Sequence, residues 1–470
     1  MSAPSDAVGR ATAAARLPRS TIWRYGIGSL GTGGFSTLPG LVLVYYLTDT
    51  LGVSALIAGL ILTIAKVWDV VVDPVIGGFS DRGLARDGTR RRFMLIGSVA
   101  LPLCFVLTFS VVPDIGPAAS ATWVGLAFIL SATAFSLFQV PYIALPAELT
   151  ARYDERTRLL TWRVVVLAVA ILLFGAGGPL VRDLFPADPH RGYLVMAIVA
   201  AAVLAVALLL SSTVAPRGPA ATAAAPRVAL AQHYRSGIRV LQRSQPLRAL
   251  LATYMLQGLA TGMMLAGAQY VATWVLRDQT AVTLLFVALI APALLLAPVW
   301  GMVARRVGKE RGFRIASAIF LAATASLVLL LWAPGPWAYL PVAVAGAAYA
   351  GMQSLPLAML PDVITDDATR HGEGQAGMFG GVWTAGETAG MAFGATALTV
   401  VLAITGYRES VGAAVVEQSG AAIVGIVLSF SVVPAAAMLL SLGTLRRYRL
   451  RRADIDQAGT GSTDTAQAGA

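Results

Sequence analysis

The chain has 470 residues, of which 57% are hydrophobic and 13% are charged, and its formal net charge is +11. A soluble globular protein carries roughly 25% charged residues, so the composition excludes a soluble domain and predicts an all-α, polytopic membrane protein. The positive charge could indicate a nucleic-acid partner, but the basic residues lie in short loops beside apolar segments, which is typical of membrane proteins. We therefore expect a lipid bilayer around the chain and no nucleic acid bound to it.

The predicted elements begin with a leader at residues 1–20, which lacks the apolar core of a signal peptide and is expected to be cytoplasmic. A run of about 20 apolar residues can cross a bilayer as a helix, and twelve such runs follow. The predicted spans are 26–48, 55–80, 93–113, 122–147, 160–182, 193–213, 247–276, 281–304, 313–334, 337–361, 375–405 and 419–444. Residues 214–246 are predicted to be a cytoplasmic linker between an N-terminal bundle, 21–213, and a C-terminal bundle, 247–446. The tail, 447–470, is expected to be disordered.

The loops between these spans differ in charge in a regular alternation. The basic loops follow spans 2, 4, 8 and 12 and contain, in that order, Arg90–Arg92, Arg156 with Arg158, Arg305 with Arg306, and Arg446 with Arg447. The alternate loops are nearly neutral. Because basic residues are concentrated in cytoplasmic loops, both termini are predicted to lie in the cytoplasm and the protein to be a multi-pass protein of the plasma membrane.

The two sets of six spans contain related motifs. Asp73-Pro74-Val75-Ile76-Gly77 in the second span corresponds to Ala297-Pro298-Val299-Trp300-Gly301 in the eighth, and Gln139 in the fourth span corresponds to Gln353 in the tenth. A duplicated six-span bundle with a substrate site between the halves is typical of large secondary transporters. The repeat therefore favours transport by alternating access.

A stripe of charged residues lies inside the second span. Lys66, Asp69 and Asp73 are spaced i, i+3 and i+7, which places them on one face of a helix. An ionised group near the centre of a bilayer costs about 2.5–3.5 kcal/mol on insertion scales, so such groups are usually paired and functional. The duplicate span has Ala293 and Ala297 at the aspartate positions, so the scaffold does not need the carboxylates. A structural ion pair with Lys66 would explain one aspartate and leave the other unpaired.

Several motifs, in this order along the chain, resemble those of one transporter family. They are Tyr45-Tyr46-x-Thr48-Asp49-x-x-Gly52, Lys66-x-Trp68-Asp69-x-x-x-Asp73-Pro74-x-x-Gly77, Pro141-Tyr142-x-Ala144-Leu145-Pro146, Arg156-Thr157-Arg158 running to Arg163, and Pro361-Asp362-Val363-Ile364. The sequence resembles the glycoside–pentoside–hexuronide:cation symporters, the melibiose-permease-like branch of the major facilitator superfamily. The resemblance implies a major facilitator fold of two six-helix pseudo-repeat bundles. It also implies that Asp69 and Asp73 bind the coupling Na⁺, Li⁺ or H⁺. By the same resemblance, Lys66 occupies a position where the family carries a basic residue, and Arg163 holds the cytoplasmic gate closed.

The chain departs from melibiose permease where that transporter recognises sugar. Gly33 and Gln139 stand where melibiose permease has aspartates, and Thr388 stands at the position of a family lysine, with Glu387 beside it. Aromatic residues could stack on a sugar ring, although aromatics in spans more often serve packing. The residues predicted to line the substrate cavity are Gly33, Gln139, Tyr142, Trp383, Glu387 and Thr388.

Charges near the cytoplasmic ends of the spans allow two interpretations. Asp81 and Arg82, with the arginines that follow them, resemble the superfamily loop between spans 2 and 3, and they form either a gate network or a simple orientation signal. Arg163 is either a gate residue or an arginine that snorkels to the loop. If all intramembrane charges face one cavity, Asp69, Asp73 and Glu387 exceed Lys66 and Arg163 by one negative charge. The cavity would then accept one monovalent cation or proton.

The preferred hypothesis is a monomeric, cation-coupled symporter of a small polar substrate, with no cofactor. Carboxylate oxygens are suitable ligands for a hard cation such as Na⁺. Two close carboxylates can also bind a proton, because their repulsion raises the pKa of one of them. The sequence therefore does not decide between Na⁺ and H⁺ as the coupling ion. The alternative is proton-driven export of a drug-like or lipid-like compound. We expect no enzyme activity, because the sequence has no nucleophile–base set, and the single cysteine, Cys104, excludes a cysteine metal cluster.

Overall fold

The computed structural model describes residues 16–150, 152–216, 230–278, 280–371, 376–412, 416–448 and 450. Its helices are α1 (Arg19–Asp49), α2 (Ala55–Asp87), α3 (Arg91–Thr108), α4 (Pro117–Leu149), α5 (Tyr153–Arg182), α6 (Pro189–Ser212), α7 (Leu230–Arg243), α8 (Gln245–Tyr270), α9 (Ala281–Val307), α10 (Lys309–Ser326), α11 (Tyr339–His371), α12 (Ala376–Ile404), α13 (Gly420–Phe430) and α14 (Val432–Leu445). Within these residues, twelve helical segments are long and apolar enough to cross a membrane, which confirms the predicted number.

Some spans are not single regular helices. The seventh span continues from α8 into a π-helical turn, Val271–Leu276, and the ninth continues from α10 into a 3₁₀ turn, Leu327–Leu331. The twelfth is interrupted at Ser431, between α13 and α14. Helix α7 lies within the predicted linker and was not expected. The predicted leader and tail fall largely outside the described residues.

The internal repeat is visible in how the helices pack. In the N-terminal half, α1 packs against α5 and α6, α3 packs against α4 and α6, and α2 packs against α4. In the C-terminal half, α8 packs against α12 and α14, α10 packs against α11 and α14, and α9 packs against α11. The two sets correspond pair for pair when α1 to α5 are matched in order with α8 to α12. Helix α6 then matches α13 and α14, which together form the twelfth span. Each half is therefore a six-span bundle of the same design.

The halves meet at one end of the molecule, which we call the Asp49 end; the opposite end, with Arg90 and the other basic loops, is the basic end. Backbone N–H groups of Ser410 and Gly412 donate to the carbonyls of Thr48 and Thr50, at 3.1 and 2.9 Å. The Asp49 carboxylate, on a residue only 7% exposed, accepts hydrogen bonds from the hydroxyls of Tyr407, Thr48 and Ser410. These contacts close the Asp49 end.

Burial keeps the Tyr407 hydroxyl protonated, so that it can donate its hydrogen bond in this closure. It raises the pKa of the Tyr407 hydroxyl well above its ordinary value, and the Asp49 charge raises it further. Tyr407 therefore keeps its proton at physiological pH and stays a hydrogen-bond donor to Asp49. The closure of the Asp49 end thus depends on neutral donors of the C-terminal half, Tyr407 and Ser410, and on a carboxylate of the N-terminal half.

Helices α2 and α12 run antiparallel across the boundary between the halves, and their described side-chain contacts lie near the Asp49 end. Near the Asp49 end, the hydroxyls of Thr63 and Thr396 are hydrogen-bonded. Fifteen residues further along each helix, a Cβ added at Gly78 on α2 or at Gly381 on α12 would meet nothing within 4 Å. These contacts close the molecule at the Asp49 end, and we infer that it is open between the halves toward the basic end.

Candidate functional site

The charged stripe of the second span is assembled on α2 as the sequence predicts. Lys66 Nζ lies 3.2 Å from Asp69 Oδ2, and Asp69 is 8% exposed. The second oxygen, Asp69 Oδ1, is buried and has no hydrogen-bond partner. Asp73 is half-buried, and the hydroxyl of Ser136 on α4, a residue 2% exposed, lies beside its carboxylate. Two carboxylates and one ammonium group therefore share a site between α2 and α4.

This arrangement leaves negative charge without a full set of partners. Lys66 accounts for one oxygen of Asp69, so the structural ion pair explains neither Asp69 Oδ1 nor Asp73. Buried carboxylate oxygens are usually hydrogen-bonded or paired, because leaving one unsatisfied costs free energy. The oxygen atoms of Asp69, Asp73 and Ser136 are hard ligands of the kind that Na⁺ accepts, and either carboxylate could take a proton instead.

Helix α4 contributes one polar side chain without a described partner for its oxygen and one packing residue. Gln139 is half-buried, and its Oε1 is buried without a hydrogen-bond partner. Tyr142, in contrast, is fully buried: its hydroxyl donates to the carbonyl of Tyr25 at 2.8 Å, and its ring stacks on the Tyr25 ring at 4.6 Å. The prediction that Tyr142 lines the substrate cavity is wrong, because this side chain packs α4 against α1.

Gly33 has a similar packing role. A Cβ at this position would lie 2.9 Å from the Cβ of Ala170 and 2.9 Å from a methyl group of Leu167, both on α5. Contacts as short as these exclude any larger side chain unless the helices separate. Gly33 is therefore a helix-contact residue between α1 and α5 and not a wall of the cavity, which corrects the prediction.

Arg163 lies inside the N-terminal half and does not reach toward a loop. Its guanidinium carbon is 5.5 Å from the centroid of the Tyr142 ring, a cation–π distance, and its Nε is buried without a partner. The predicted gate role of Arg163 stays a prediction.

In the C-terminal half, glycines bring the backbones of α8 and α12 into direct contact. A Cβ at Gly262 would lie 2.5 Å from the carbonyl oxygen of Met391, and a Cβ at Gly394 would lie 2.5 Å from that of Leu259. The glycines are spaced four apart, at 258 and 262 on α8 and at 386, 390 and 394 on α12, which is the small-xxx-small pattern of close helix pairs. This spacing is visible in the sequence and would have predicted the close contact between α8 and α12, but it was missed.

This crossing places a polar cluster on the inner side of α12. The hydroxyl of Tyr254 on α8 lies 2.9 Å from Glu387 Oε1 and also contacts Gln353 on α11. Trp383 stacks on Tyr254 at 4.5 Å and is only 3% exposed, so the prediction that it lines the open cavity is wrong. Thr388 is half-buried beside Glu387. Tyr254 was not predicted, since nothing in its own segment distinguishes it from a packing tyrosine.

At the basic end, a charge network includes Asp81 but not Arg82. Arg90, with a side chain 10% exposed, pairs with Asp81 and Glu148 and donates to Ser80 Oγ at 2.9 Å. Arg82 instead donates to the carbonyl of Gly78 and lies over the Phe79 ring. Arg82 therefore takes no part in the described ion pairs, which leaves only the orientation signal for it, and Arg90 holds the network that joins α2 to α4.

We expect Arg90→Ala to lower the free energy of unfolding by about 2 kcal/mol. The change leaves the Glu148 carboxylate, which is 17% exposed, without its partner, and breaking a buried pair costs about 3–5 kcal/mol. We reduce that figure because Asp81 is half exposed and screened by solvent. Denaturant unfolding in detergent measures the effect. Arg82→Ala is the matched control and should change stability by less than about 0.5 kcal/mol; equal losses for both variants would contradict the assignment.

With this geometry established, similarity to known proteins identifies the family. Residues 24–452 match the family model described as MFS/sugar transport protein, where MFS is the major facilitator superfamily. The chain belongs to this family. Since its members are membrane transporters, the family excludes an enzyme, as predicted. The family also confirms the resemblance to the glycoside–pentoside–hexuronide:cation symporters.

Individual relatives agree with the family. YagG of Escherichia coli K12, a candidate glycoside/cation symporter, is 33% identical over 170 residues, which cover 36% of this chain and 37% of YagG. A glucuronide carrier protein homologue of the same organism is 26% identical over 446 residues, which cover 93% of each chain. The crystal structure of a D-xylose–proton symporter superposes with a TM-score of 0.66 at 15% identity, covering 92% of this chain and 98% of the other. The major facilitator fold is therefore confirmed.

Proposed function

We propose that this sugar-transport family member is a monomeric, cation-coupled symporter that carries a small polar solute, a sugar or sugar-like molecule, across the plasma membrane. The coupling ion is Na⁺ or H⁺, and no cofactor takes part. The basic end faces the cytoplasm together with both termini, because basic loops remain on that side. The names of the relatives, a glycoside/cation symporter and a glucuronide carrier homologue, support this class of substrate.

One observation carries the proposal: Asp69 Oδ1 is buried without a partner beside a second carboxylate, Asp73, in a span that crosses the membrane. The duplicate helix α9 packs in the same way with Ala293 and Ala297 at the matching positions. Two acidic groups that the scaffold does not need, with only one lysine nearby, form a site for one cation. We therefore assign the coupling ion to Asp69 and Asp73.

In the proposed cycle, the open basic end is the cytoplasm-facing state. The cation neutralises Asp69 and Asp73, which removes repulsion on α2 and allows it to approach α4 and α12 around a bound solute. The halves then rock about the central cavity, and the hydrogen bonds of the Asp49 end must break for the cavity to open outward. Gln139, Glu387 and Thr388 remain the residues that we assign to the solute.

The experiment is uptake by proteoliposomes with an imposed Na⁺ gradient, an imposed pH gradient, or neither, tested on a panel of glycosides and hexuronides. We expect accumulation of at least one solute with an imposed Na⁺ or pH gradient and none without a gradient. The gradient that loses its effect in the Asp69→Asn, Asp73→Asn variant names the ion bound at that pair. Empty liposomes and a K⁺ gradient are the controls. Equal uptake with every gradient would contradict cation coupling. Export of a drug-like or lipid-like compound has weaker support, because the matched family is a sugar-transport family.

A cross-link across the closed end should stop transport reversibly. In a Cys104→Ser background, the double variant Thr63→Cys with Thr396→Cys places thiols where two hydroxyls now touch across the halves. Oxidation should join α2 to α12 and reduce uptake about tenfold or more, since the halves could no longer separate at this end, and a reductant should restore the rate. Each single-cysteine variant is the control. Full uptake by the cross-linked protein would contradict alternating access at this boundary.

A further inference from the structure

Four polar side chains form a continuous chain of contacts inside the C-terminal half. Gln353 Nε2 faces the hydroxyl of Tyr349, and Gln353 Oε1 faces the hydroxyl of Tyr254; both pairs are hydrogen-bonded. The Tyr254 hydroxyl lies 2.9 Å from Glu387 Oε1. The chain joins α11, α8 and α12, and it lines a narrow cleft.

The number of protons in this chain depends on Glu387. The Tyr254 hydroxyl has one proton to donate, yet it faces two acceptor oxygens, Gln353 Oε1 and Glu387 Oε1. If Glu387 is protonated, it donates to Tyr254, which donates to Gln353. If Glu387 is ionised, the Gln353 amide must turn, so that Tyr349 donates to its oxygen, its nitrogen donates to Tyr254, and Tyr254 donates to the carboxylate. In each pattern the Tyr254 hydroxyl accepts one hydrogen bond and donates one, and the two patterns differ by one proton and one amide orientation.

Among the described residues, no basic side chain lies beside Glu387 to hold it ionised. Of the described residues that line the cleft, those on α8 are Tyr254, Gln257, Gly258 and Thr261, and those on α11 are Tyr349, Met352 and Gln353, none of them basic. Helix α7 contacts α12 near Gly237 and carries Arg239, which is exposed, and α13 contains no titratable residue. An ionised carboxylate in such a place is costly, whereas a protonated one can donate to Tyr254.

The charged groups of α2 lie at a similar depth but in the other half of the molecule. Counted from the contact between Thr63 and Thr396, Asp73 is ten residues and Glu387 nine residues toward the basic end. At a rise of about 1.5 Å per residue, both lie roughly 14–15 Å from the closed end. Lys66, with its ammonium group, is held by Asp69. Glu387 is therefore a separate acidic site at the level of the proposed cation site.

We propose that Glu387 is a second ion site, specific for the proton, and that its protonation sets the orientation of the Gln353 amide. The proton comes from water at the open basic end and returns to water, and only an O–H bond is made and broken. Tyr254 is a positioning residue that links the carboxyl group to the amide. The proposal rests on the proposed function for its role in transport, but the protonation itself does not depend on any solute.

The test is infrared difference spectroscopy of the purified full-length protein, with the pH stepped between about 5 and about 9, the range in which perturbed carboxyl groups titrate. We expect a carboxylic-acid band that titrates in the wild type, is lost in Glu387→Gln, and changes frequency in Tyr254→Phe because its hydrogen-bond partner is gone. Thr384→Val, an exposed change on the same helix, should leave the band unchanged. A Glu387→Gln spectrum identical to that of the wild type would overturn the proposal.

Transport separates this proposal from the proposed function. In proteoliposomes, solute counterflow needs no net ion movement and measures any direct loss of solute binding in Glu387→Gln. The ratio of uptake driven by a pH gradient to counterflow should fall roughly tenfold in this variant. A ratio equal to that of the wild type would overturn the role of Glu387. If the wild type moves no solute under any gradient, the proposed function fails, while the infrared result on Glu387 still decides the protonation.

Discussion

Uptake driven by an ion gradient is expected to fall by about two to three orders of magnitude when Asp69→Asn is combined with Asp73→Asn. Asparagine keeps the shape of each side chain and removes its charge, so Lys66 loses its acidic partner and the site loses its attraction for a cation. Removing one side of a buried charge pair costs about 3–5 kcal/mol, which corresponds to this loss of ion affinity. Initial rates in proteoliposomes with the coupling gradient measure the effect.

The repeat supplies the matched control for this experiment. Ala297→Asn introduces an asparagine at the position in α9 that corresponds to Asp73, and it should leave ion-driven uptake within about twofold of the wild type, because it adds no charge and leaves Asp69 and Asp73 intact. Each single aspartate variant should be intermediate. Unchanged ion dependence in the double aspartate variant would remove the basis for the cation site.

The second large effect is expected at the glycine contact between α8 and α12. The double variant Gly262→Ala with Gly394→Ala adds two methyl groups that would each lie 2.5 Å from a backbone oxygen. Backbone atoms cannot move aside as a side chain can, so the two helices must separate. Overpacking typically costs about 1–3 kcal/mol at each site, and we expect a combined loss of about 3–5 kcal/mol in the free energy of unfolding, measured with denaturant in detergent.

Gly381→Ala separates this close contact from the general effect of replacing glycine in a helix. A Cβ at Gly381, on the same helix, meets nothing within 4 Å, and alanine is favoured over glycine in helices by about 1 kcal/mol. Gly381→Ala should therefore be neutral or slightly stabilising. Full stability of the Gly262/Gly394 double variant would show that the two backbones are not in contact. Since this crossing positions Tyr254 against Glu387, partial separation should also disturb that pair.

The fold could be predicted from the sequence because a bilayer imposes a simple rule on length and polarity. Each span requires about 20 apolar residues, and the basic loops separate the spans clearly. Helix α7 was missed because its polar, amphipathic sequence resembles a charged linker. The interruption at Ser431 was missed because the residues on both sides are equally apolar, so no change of composition marks it.

The candidate site was predictable only where charge was informative. Asp69 and Asp73 stand out because carboxylates are rare inside spans. Tyr142 and Trp383 could not be placed, since an aromatic residue in a span has the same sequence appearance whether it lines a cavity or packs between helices. Arg82 and Arg90 are both arginines near one helix end, and only the direction of each side chain shows which one joins Asp81 and Glu148.

The central claim, that a cation at Asp69 and Asp73 completes the solute site, is tested most directly by equilibrium binding of a transported glycoside to the purified protein with and without the coupling ion. Linkage requires that the ion and the solute raise each other's affinity by the same factor, and we expect a factor of at least about ten for the wild type. The factor should fall to one in the Asp69→Asn, Asp73→Asn variant. An equal effect of the ion on both proteins would place the coupling site elsewhere and contradict the account.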